Sequence, residues 1–316
     1  MPLSIDDIRL ARDRISPHIH CTPVMTSSQI NQLLGCELFF KADNLQKVGA
    51  FKARGACNAV FSMDSSELES GVVTHSSGNH GAALAWAAAL RNAPCTVVMP
   101  DNAPQAKKDA VASYGATVKF CTATMAAREA SVADIMAEQG ATLVHPYDQD
   151  LIIAGQGTAA LEMLQQVDST VDILMTPVGG GGLLSGSALV VKQSSAQATT
   201  KVYGAEPEMA ADAFEGFKSG ERISTYTPKT IADGLRATVG IRNFAVISEH
   251  VDDIFLTSEV RIIEAMKLIW SRLKMVVEPS AAVPLAVVMD HPEVFKSKRV
   301  AIVLTGGNLD LEQLPW

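Results

Sequence analysis

The chain has 316 residues, of which 47% are apolar and 19% charged, enough for a buried core in one large or two moderate domains. Its net charge of -8, pI near 5.4 and lack of any basic run argue against a nucleic-acid partner. The acidic start "MPLSIDDIRLARDRI" shows no secretion or targeting signal, and the longest apolar run, Ala82 to Leu90, is too short to cross a membrane, so a cytoplasmic protein is expected.

"SIDDIRLARDRI" reads as an opening helix, with Ser4 and Asp7 spaced as a capping box and Ile8, Ala11 and Ile15 on one face. Apolar runs then mark strands at Glu37 to Lys41, Gly71 to His75, Cys95 to Met99, Thr117 to Phe120 and Thr142 to His145. Further strands are expected at Asp172 to Thr176, Lys201 to Ala205, Asp253 to Leu256 and Arg299 to Leu304. Helical patterns lie between most of them, at Asn79 to Arg91, Pro104 to Tyr114, Gly157 to Gln166 and Ser258 to Arg272. This alternation implies an α/β protein with parallel sheets covered by helices on both faces. No linker marks a domain boundary. Five cysteines, Cys21, Cys36, Cys57, Cys95 and Cys121, lack CxxC spacing and read as buried free thiols of a reducing compartment.

Four segments carry chemistry. Lys52, in "GAFKARGA", is an ammonium in an apolar, glycine-flanked setting, where burial would lower its pKa and make it nucleophilic. A surface lysine beside Arg54 is the alternative. In "THSSGNHGAALAWAA", Ser76, Ser77, Gly78, Asn79 and His80 follow a strand at a helix start, a setting for an anion or simply for helix caps. "TPVGGGGLLSGSALVV" places Gly179, Gly180, Gly181 and Gly182 between a strand and a helix, as a phosphate nest or a tight turn; no P-loop or GxGxxG pattern is present. "VAIVLTGGNLDL" runs a last strand into Thr305, Gly306, Gly307 and Asn308.

In this order, and with "FFKADNLQKVGAFKARGACNAV", "APQAKKDAV", "IAGQGTAALE", "KTIADGL" and "EPSAAVPLA", the chain resembles the fold-type II pyridoxal-phosphate enzymes, in particular their serine/threonine dehydratase and serine racemase branch. The resemblance implies a tryptophan synthase β-like fold of two doubly wound domains, residues 1–70 with 149–316 and residues 71–148, with the active site in the cleft between them. It implies that Lys52 holds pyridoxal 5'-phosphate as a Schiff base and removes the substrate α-proton. Phe51 would pack by the ring, Asn79 would bond the phenolic oxygen, and Gly179 to Gly182 with Leu183 would cradle the phosphate. Thr305 stands where the branch usually has Ser next to the pyridine nitrogen, so the ring nitrogen should stay largely unprotonated, which favours elimination. Ser77 would donate a proton on the opposite face, permitting racemisation, and Ser76, Ser77, Asn79 and His80 would bind the α-carboxylate.

Arg128 falls where serine racemases have an arginine that reaches substrate, and it also suits a side-chain carboxylate; an ordinary solvated helix arginine is the other reading. "GAFKARGA", "EPSAAVPLA" and the "LPW" end are similar to bacterial 3-hydroxyaspartate dehydratases, pulling the substrate towards a hydroxy diacid. "YGAEPEMAADAF" resembles the family's metal loop, with Glu206, the Ala210 carbonyl and Asp212 as ligands for magnesium or calcium, although Ala211 replaces an acid that many relatives carry. The implied activity is elimination of water from L-serine, L-threonine or 3-hydroxyaspartate, with racemisation permitted beside it, in a homodimer. The competing readings are serine racemisation as the main activity, β-replacement chemistry, and a non-catalytic amino-acid sensor. An allosteric domain after Trp316 is not expected.

Overall fold

The computed structural model describes residues 2–76, 78–103 and 105–316. Its strands are β1 (Val24–Met25), β2 (Glu37–Ala42), β3 (Val72–His75), β4 (Cys95–Pro100), β5 (Thr117–Cys121), β6 (Thr142–Leu143), β7 (Ile173–Pro177), β8 (Lys201–Pro207), β9 (Asp253–Thr257) and β10 (Arg299–Leu304). They form a six-stranded sheet of order β1-β2-β10-β7-β8-β9 and a four-stranded sheet of order β5-β4-β3-β6. All pairs are parallel except β1 with β2. Each expected strand is present, but β1 is too short to leave a pattern in the sequence. β6 ends at Leu143 rather than His145, because the chain turns there: Val144 N–H still bonds the Val73 carbonyl, whereas His145 N–H bonds the Gln149 side chain.

The strands bury both faces, and successive residues serve different cores. Along β10, Val300, Ile302 and Leu304 pack with the helices Glu259–Leu268 and Pro279–Asp290, while Ala301 and Val303 face the helices Asp150–Gln166 and Gly182–Lys192. In the smaller sheet, Val72, Val97 and Met99 face the helices Lys52–Ser62 and Asn79–Leu90, whereas Val73 and Val98 face the helix Met125–Gln139. The opening helix, Ile5–Ile15, has the expected Ser4–Asp7 capping box. The helix expected at Pro104 to Tyr114 is observed over Gln105–Ser113, with Pro104 outside the described residues. The helix expected through Arg272 is α-helical to Leu268, continues as a π turn over Ile269–Leu273, and ends at Lys274 in the left-handed region.

The helix expected at Gly157 instead begins at Asp150, and its glycines explain the difference. Gly155 lies against the helix Lys52–Ser62: a Cβ there would sit 2.6 Å from Gly55 Cα. Two residues on, Gly157 meets the helix Gly182–Lys192, where a Cβ on Gly186 would sit 2.7 Å from Gly157 N. The glycines that look like helix breakers are therefore contact points. They let one helix hold the Lys52 helix on one side and the helix after the glycine loop on the other.

Arg54 is fully buried. Its guanidinium makes paired bonds to Asp43, at 2.6 and 2.9 Å, and to Glu162, both at 2.9 Å. Lys41, also fully buried, adds a 2.9 Å ion pair to Glu162. Burial alone would push the Asp43 carboxyl up, but Arg54 holds it below its ordinary range. The expectation of buried thiols is met by Cys36, Cys57 and Cys95 only: Cys21 is exposed and Cys121 partly so. We expect Arg54→Met to leave two buried carboxylates facing Lys41 alone, lowering stability to chemical denaturation by about 3–5 kcal/mol. An unchanged midpoint would contradict this charge balance.

Candidate active site

Lys52 is the first residue of the helix Lys52–Ser62, which has no side-chain cap at its start. That start is joined instead to the end of β10: Phe51 N–H donates to the Thr305 carbonyl at 2.9 Å, and Ala50 bridges to Gly306. The side chain is partly exposed, with Nζ 2.8 Å from the Pro146 carbonyl and 5.1 Å from the centroid of the Phe51 ring. Burial lowers its pKa to about 8, against an opposing pull from Glu278. This amine can be neutral in mild alkali, as a nucleophile or proton acceptor requires.

The glycine loop follows β7 and opens the helix Gly182–Lys192. Each glycine is crowded on its Cα side: Gly179 by Leu235, Gly180 by the Tyr147 ring, Gly181 by Asn243 and Gly182 by the Tyr147 carbonyl. Gly181 also has φ +92°. The Gly180 carbonyl accepts from Gly240 N–H at 3.1 Å and from Asn243 Nδ2 at 2.8 Å. Among the described residues, no protein acceptor meets the amides of Gly180, Gly181, Gly182 or Leu183. Free amides at a helix start, with no side chain in the loop, fit a phosphate group.

Asn79 begins the helix Asn79–Leu90, and its Nδ2 donates to both carboxylate oxygens of Glu278 at 3.0 and 3.2 Å. Its Oδ1 accepts from Asn308 Nδ2 at 2.9 Å, and Glu278 N–H donates to the Gly306 carbonyl at 3.0 Å. Burial, reinforced by Asp233, pushes the Glu278 carboxyl up to about 7, while Asn79 opposes the shift. Lys52, Asn79, the glycine loop and Thr305 are thus brought to the strand ends of the two sheets. Thr305, which precedes Gly306 of this network, is buried.

The remaining residues divide. Ser76 Oγ accepts from Gly78 N–H at 3.3 Å, a local turn contact just before the helix, which has no side-chain cap. Ser77 lies outside the described residues. His80 is buried, with Nε2 3.2 Å from the Val144 carbonyl and no partner at Nδ1 among the described residues; burial lowers its pKa well below the usual range. Arg128, on the helix Met125–Gln139, has a buried Nε without a partner among the described residues. It lies close enough to His75 that its charge adds to burial in lowering that imidazole's pKa.

Glu206 and Asp212 belong to a separate buried cluster beside the helix Asp212–Ser219. The Glu206 oxygens accept from Ala213 and Phe214 N–H, at 3.0 and 2.8 Å, and Asp212 accepts from Val239 N–H at 3.0 Å. Burial pushes Asp212 up to about 6, and Glu206 rises well above its usual range through burial and its neighbour Asp212. Neither acid has an ion-pair partner among the described residues, which also contain no cluster of three or more His, Cys, Asp or Glu placed for a metal.

Several residues of the site were not singled out in the sequence: Glu278, Tyr147, His75, His145, Asp148 and Asn243. Glu278 had a signal in the acid preceding the apolar helix Pro279–Asp290. His145 pairs edge to face with His75 at 5.7 Å and with Tyr147 at 4.7 Å, and burial lowers its pKa to about 4. The contact with His75 is long range and has no spacing to reveal it.

The lowered Lys52 pKa gives a pH prediction for cofactor-free protein. A lysine that loses its proton earlier in the folded chain than in the unfolded one adds stability as pH rises. Wild type should gain on the order of 2–3 kcal/mol over Lys52→Met between about pH 7 and about pH 10.5. Parallel stability curves for the two proteins would contradict the burial of this ammonium.

A family model described as "Pyridoxal-phosphate dependent enzyme" matches residues 15–306. The chain is 48% identical to a beta-hydroxyaspartate dehydratase of Paracoccus denitrificans over 98% of each chain. It superposes on the crystal structure of serine racemase from Dictyostelium discoideum with TM-score 0.92 and 47% identity, covering 98% of this chain and 99% of the other. A threonine deaminase crystal structure from T.th. gives TM-score 0.92 and 41% identity, covering 98% and 99%. With its parallel sheets, glycine-lined helix start and partly buried lysine, the chain belongs to the pyridoxal-phosphate dependent enzymes of fold type II.

Proposed function

We propose that this pyridoxal-phosphate enzyme is a dehydratase acting on a β-hydroxy amino acid, L-serine, L-threonine or 3-hydroxyaspartate, with the hydroxy diacid preferred. The observation that carries the preference is Arg128, whose guanidinium has an unpartnered buried Nε near His75. An arginine in this setting suits a second carboxylate. The dehydratase of Paracoccus denitrificans, named for hydroxyaspartate, supports the same reading.

In this reading Lys52 would anchor the cofactor, Phe51 would pack by its ring, and Asn79, Thr305 and the loop Gly179 to Gly182 with Leu183 would hold its phenolic oxygen, pyridine nitrogen and phosphate respectively. Pyridoxal phosphate, when bound, supplies the electron sink for the pair left when the α-proton departs. Lys52 Nζ takes that proton, and its lowered pKa suits it to accept and return one. Ser76, Ser77, Asn79 and His80 hold the α-carboxylate, and Arg128 the β-carboxylate. The β-hydroxyl takes up the proton held by Lys52 and leaves as water, and the released enamine hydrolyses to a keto acid and ammonia. By resemblance to the racemases, Ser77 would return a proton on the other face, so serine racemisation is the second reading; serine racemases are among the similar proteins.

The uncompensated acids Glu206 and Asp212, with the Ala210 carbonyl, are suited to a divalent cation, magnesium or calcium, completed by water. We further assign residues 1–70 with 149–316 to a large domain and 71–148 to a small one; the six-stranded sheet draws its strands from the first and the four-stranded sheet from the second. A cytoplasmic homodimer completes the proposal. Among the described residues, no helix is long and apolar enough to cross a membrane.

The test is keto-acid release from L- and D-serine, L-threonine and the 3-hydroxyaspartate isomers, with and without chelator. One 3-hydroxyaspartate isomer should have the highest kcat/KM, and Arg128→Met should lower that value about 100-fold while sparing L-serine. Equal losses on both substrates would refute the β-carboxylate role. Chelation should lower the melting temperature and magnesium restore it; no shift with either would remove the cation from the proposal.

A further inference from the structure

The chain leaving β6 crosses back to the larger sheet through residues 145–148, and Asp148 is anchored there in an unusual way. Its carboxylate accepts three backbone N–H groups from the start of the helix Ile241–His250: Ile241 at Oδ2, 3.0 Å, and Arg242 and Asn243 at Oδ1, 3.0 and 3.2 Å. The first amides of a helix have no partner within it, and the helix dipole favours a negative group at that end. Gly240, the residue before this helix, has no side chain to serve as its own cap, and a Cβ there would collide with the Asp148 carboxylate. Asp148 is therefore the cap, delivered from 92 residues earlier in the chain, as the numbering of Asp148 and Gly240 shows.

The capped helix end is what holds the glycine loop. Gly240 N–H and Asn243 Nδ2 both bond the Gly180 carbonyl, and the same Asn243 Nδ2 bonds the Tyr147 carbonyl at 3.0 Å. Tyr147 in turn lies on Gly180, and Asn243 Cβ closes on Gly181 to where a Cβ would be 2.8 Å away. Among the described residues no peptide is cis. In a trans peptide the N–H points opposite to the carbonyl. Holding the Gly180 carbonyl on this helix therefore turns the Gly181 N–H away from it, and that amide has no acceptor among the described residues.

We propose that Asp148, acting through the helix Ile241–His250 and Asn243, is a positioning residue that sets the aim of the glycine-loop amides at the cofactor phosphate. The inference rests on the reading that this loop receives phosphate, and Asp148 is not itself part of the cradle. Removing the cap frees the helix end, and with it the two bonds that orient the Gly180–Gly181 peptide. The consequence falls on the phosphate group and not on the aldehyde end, where Lys52 sits.

The experiment compares cofactor-free wild type, Asp148→Ala and Asp148→Asn in equilibrium titrations with pyridoxal 5'-phosphate and with pyridoxal, which lacks the phosphate, read by absorbance. Asp148→Ala should weaken pyridoxal 5'-phosphate binding about tenfold or more and pyridoxal binding less than about twofold. Asp148→Asn, which keeps one acceptor oxygen for the same amides, should fall between the two. If Asp148→Ala does not fold, the Asp148→Asn ratio carries the test. An equal loss for both ligands, or none, in the folded variant overturns the positioning role while leaving the phosphate cradle intact. Wild type that binds pyridoxal as tightly as pyridoxal 5'-phosphate overturns the cradle, and the role of Asp148 with it.

Discussion

The placement of β10 between β2 and β7 is the constraint from which the site follows. β7, β8 and β9 run outward in one direction, and the chain then returns to insert β10 on the other side of β7. Strand order reverses at that point, and in open parallel sheets the crevice beyond such strand ends is where ligands bind. Here the loops past β7 and β10 are Gly179 to Gly182 and Thr305 to Asn308. The start of the Lys52 helix is tied to the second of these by the Phe51 and Ala50 contacts. Helix packing then determines how far apart the parts stand. Close glycine contacts along the helix Asp150–Gln166 bring the Lys52 helix and the glycine-loop helix against its two sides.

Charge is managed differently inside and at the edge of this frame. Arg54 is buried with Asp43 and Glu162 in paired, hydrogen-bonded contacts that favour its charge, and Lys41 adds an ion pair to Glu162. Lys52 has only a carbonyl partner and a distant Glu278, so burial lowers its pKa. Lys41 faces a carboxylate, whereas Lys52 does not. Glu278, Glu206 and Asp212 show the converse: acids buried without a directly bonded cation and raised for that reason. Groups of this kind mark where a ligand or ion would be most favourable.

The sequence made the strands legible because alternate residues of β2, β7 and β10 serve two apolar cores, leaving continuous apolar runs bounded by glycine and polar residues. The same punctuation misled at "IAGQG", where Gly155 and Gly157 suggested a late helix start but serve instead as helix contacts. Motif residues such as Lys52, Asn79 and Gly179 to Gly182 stood out because each sits at a strand end or helix start with an uncommon composition. Glu278 and Asp148 did not stand out. Their partners, Asn79 and the amides of Ile241 to Asn243, are far away in sequence, and an isolated acid before a helix is ordinary. Arg54 did not stand out either, because its partners are distant: Glu162 lies on another helix.

The central claim is that Lys52 carries the cofactor. It is tested most directly by borohydride reduction of the purified holoenzyme, followed by protease digestion and mass spectrometry of the peptides. The account predicts a phosphopyridoxyl group on the peptide containing Lys52 and on no other lysine. A modification at a different lysine, or none on a protein that retains its yellow colour before reduction, would contradict it.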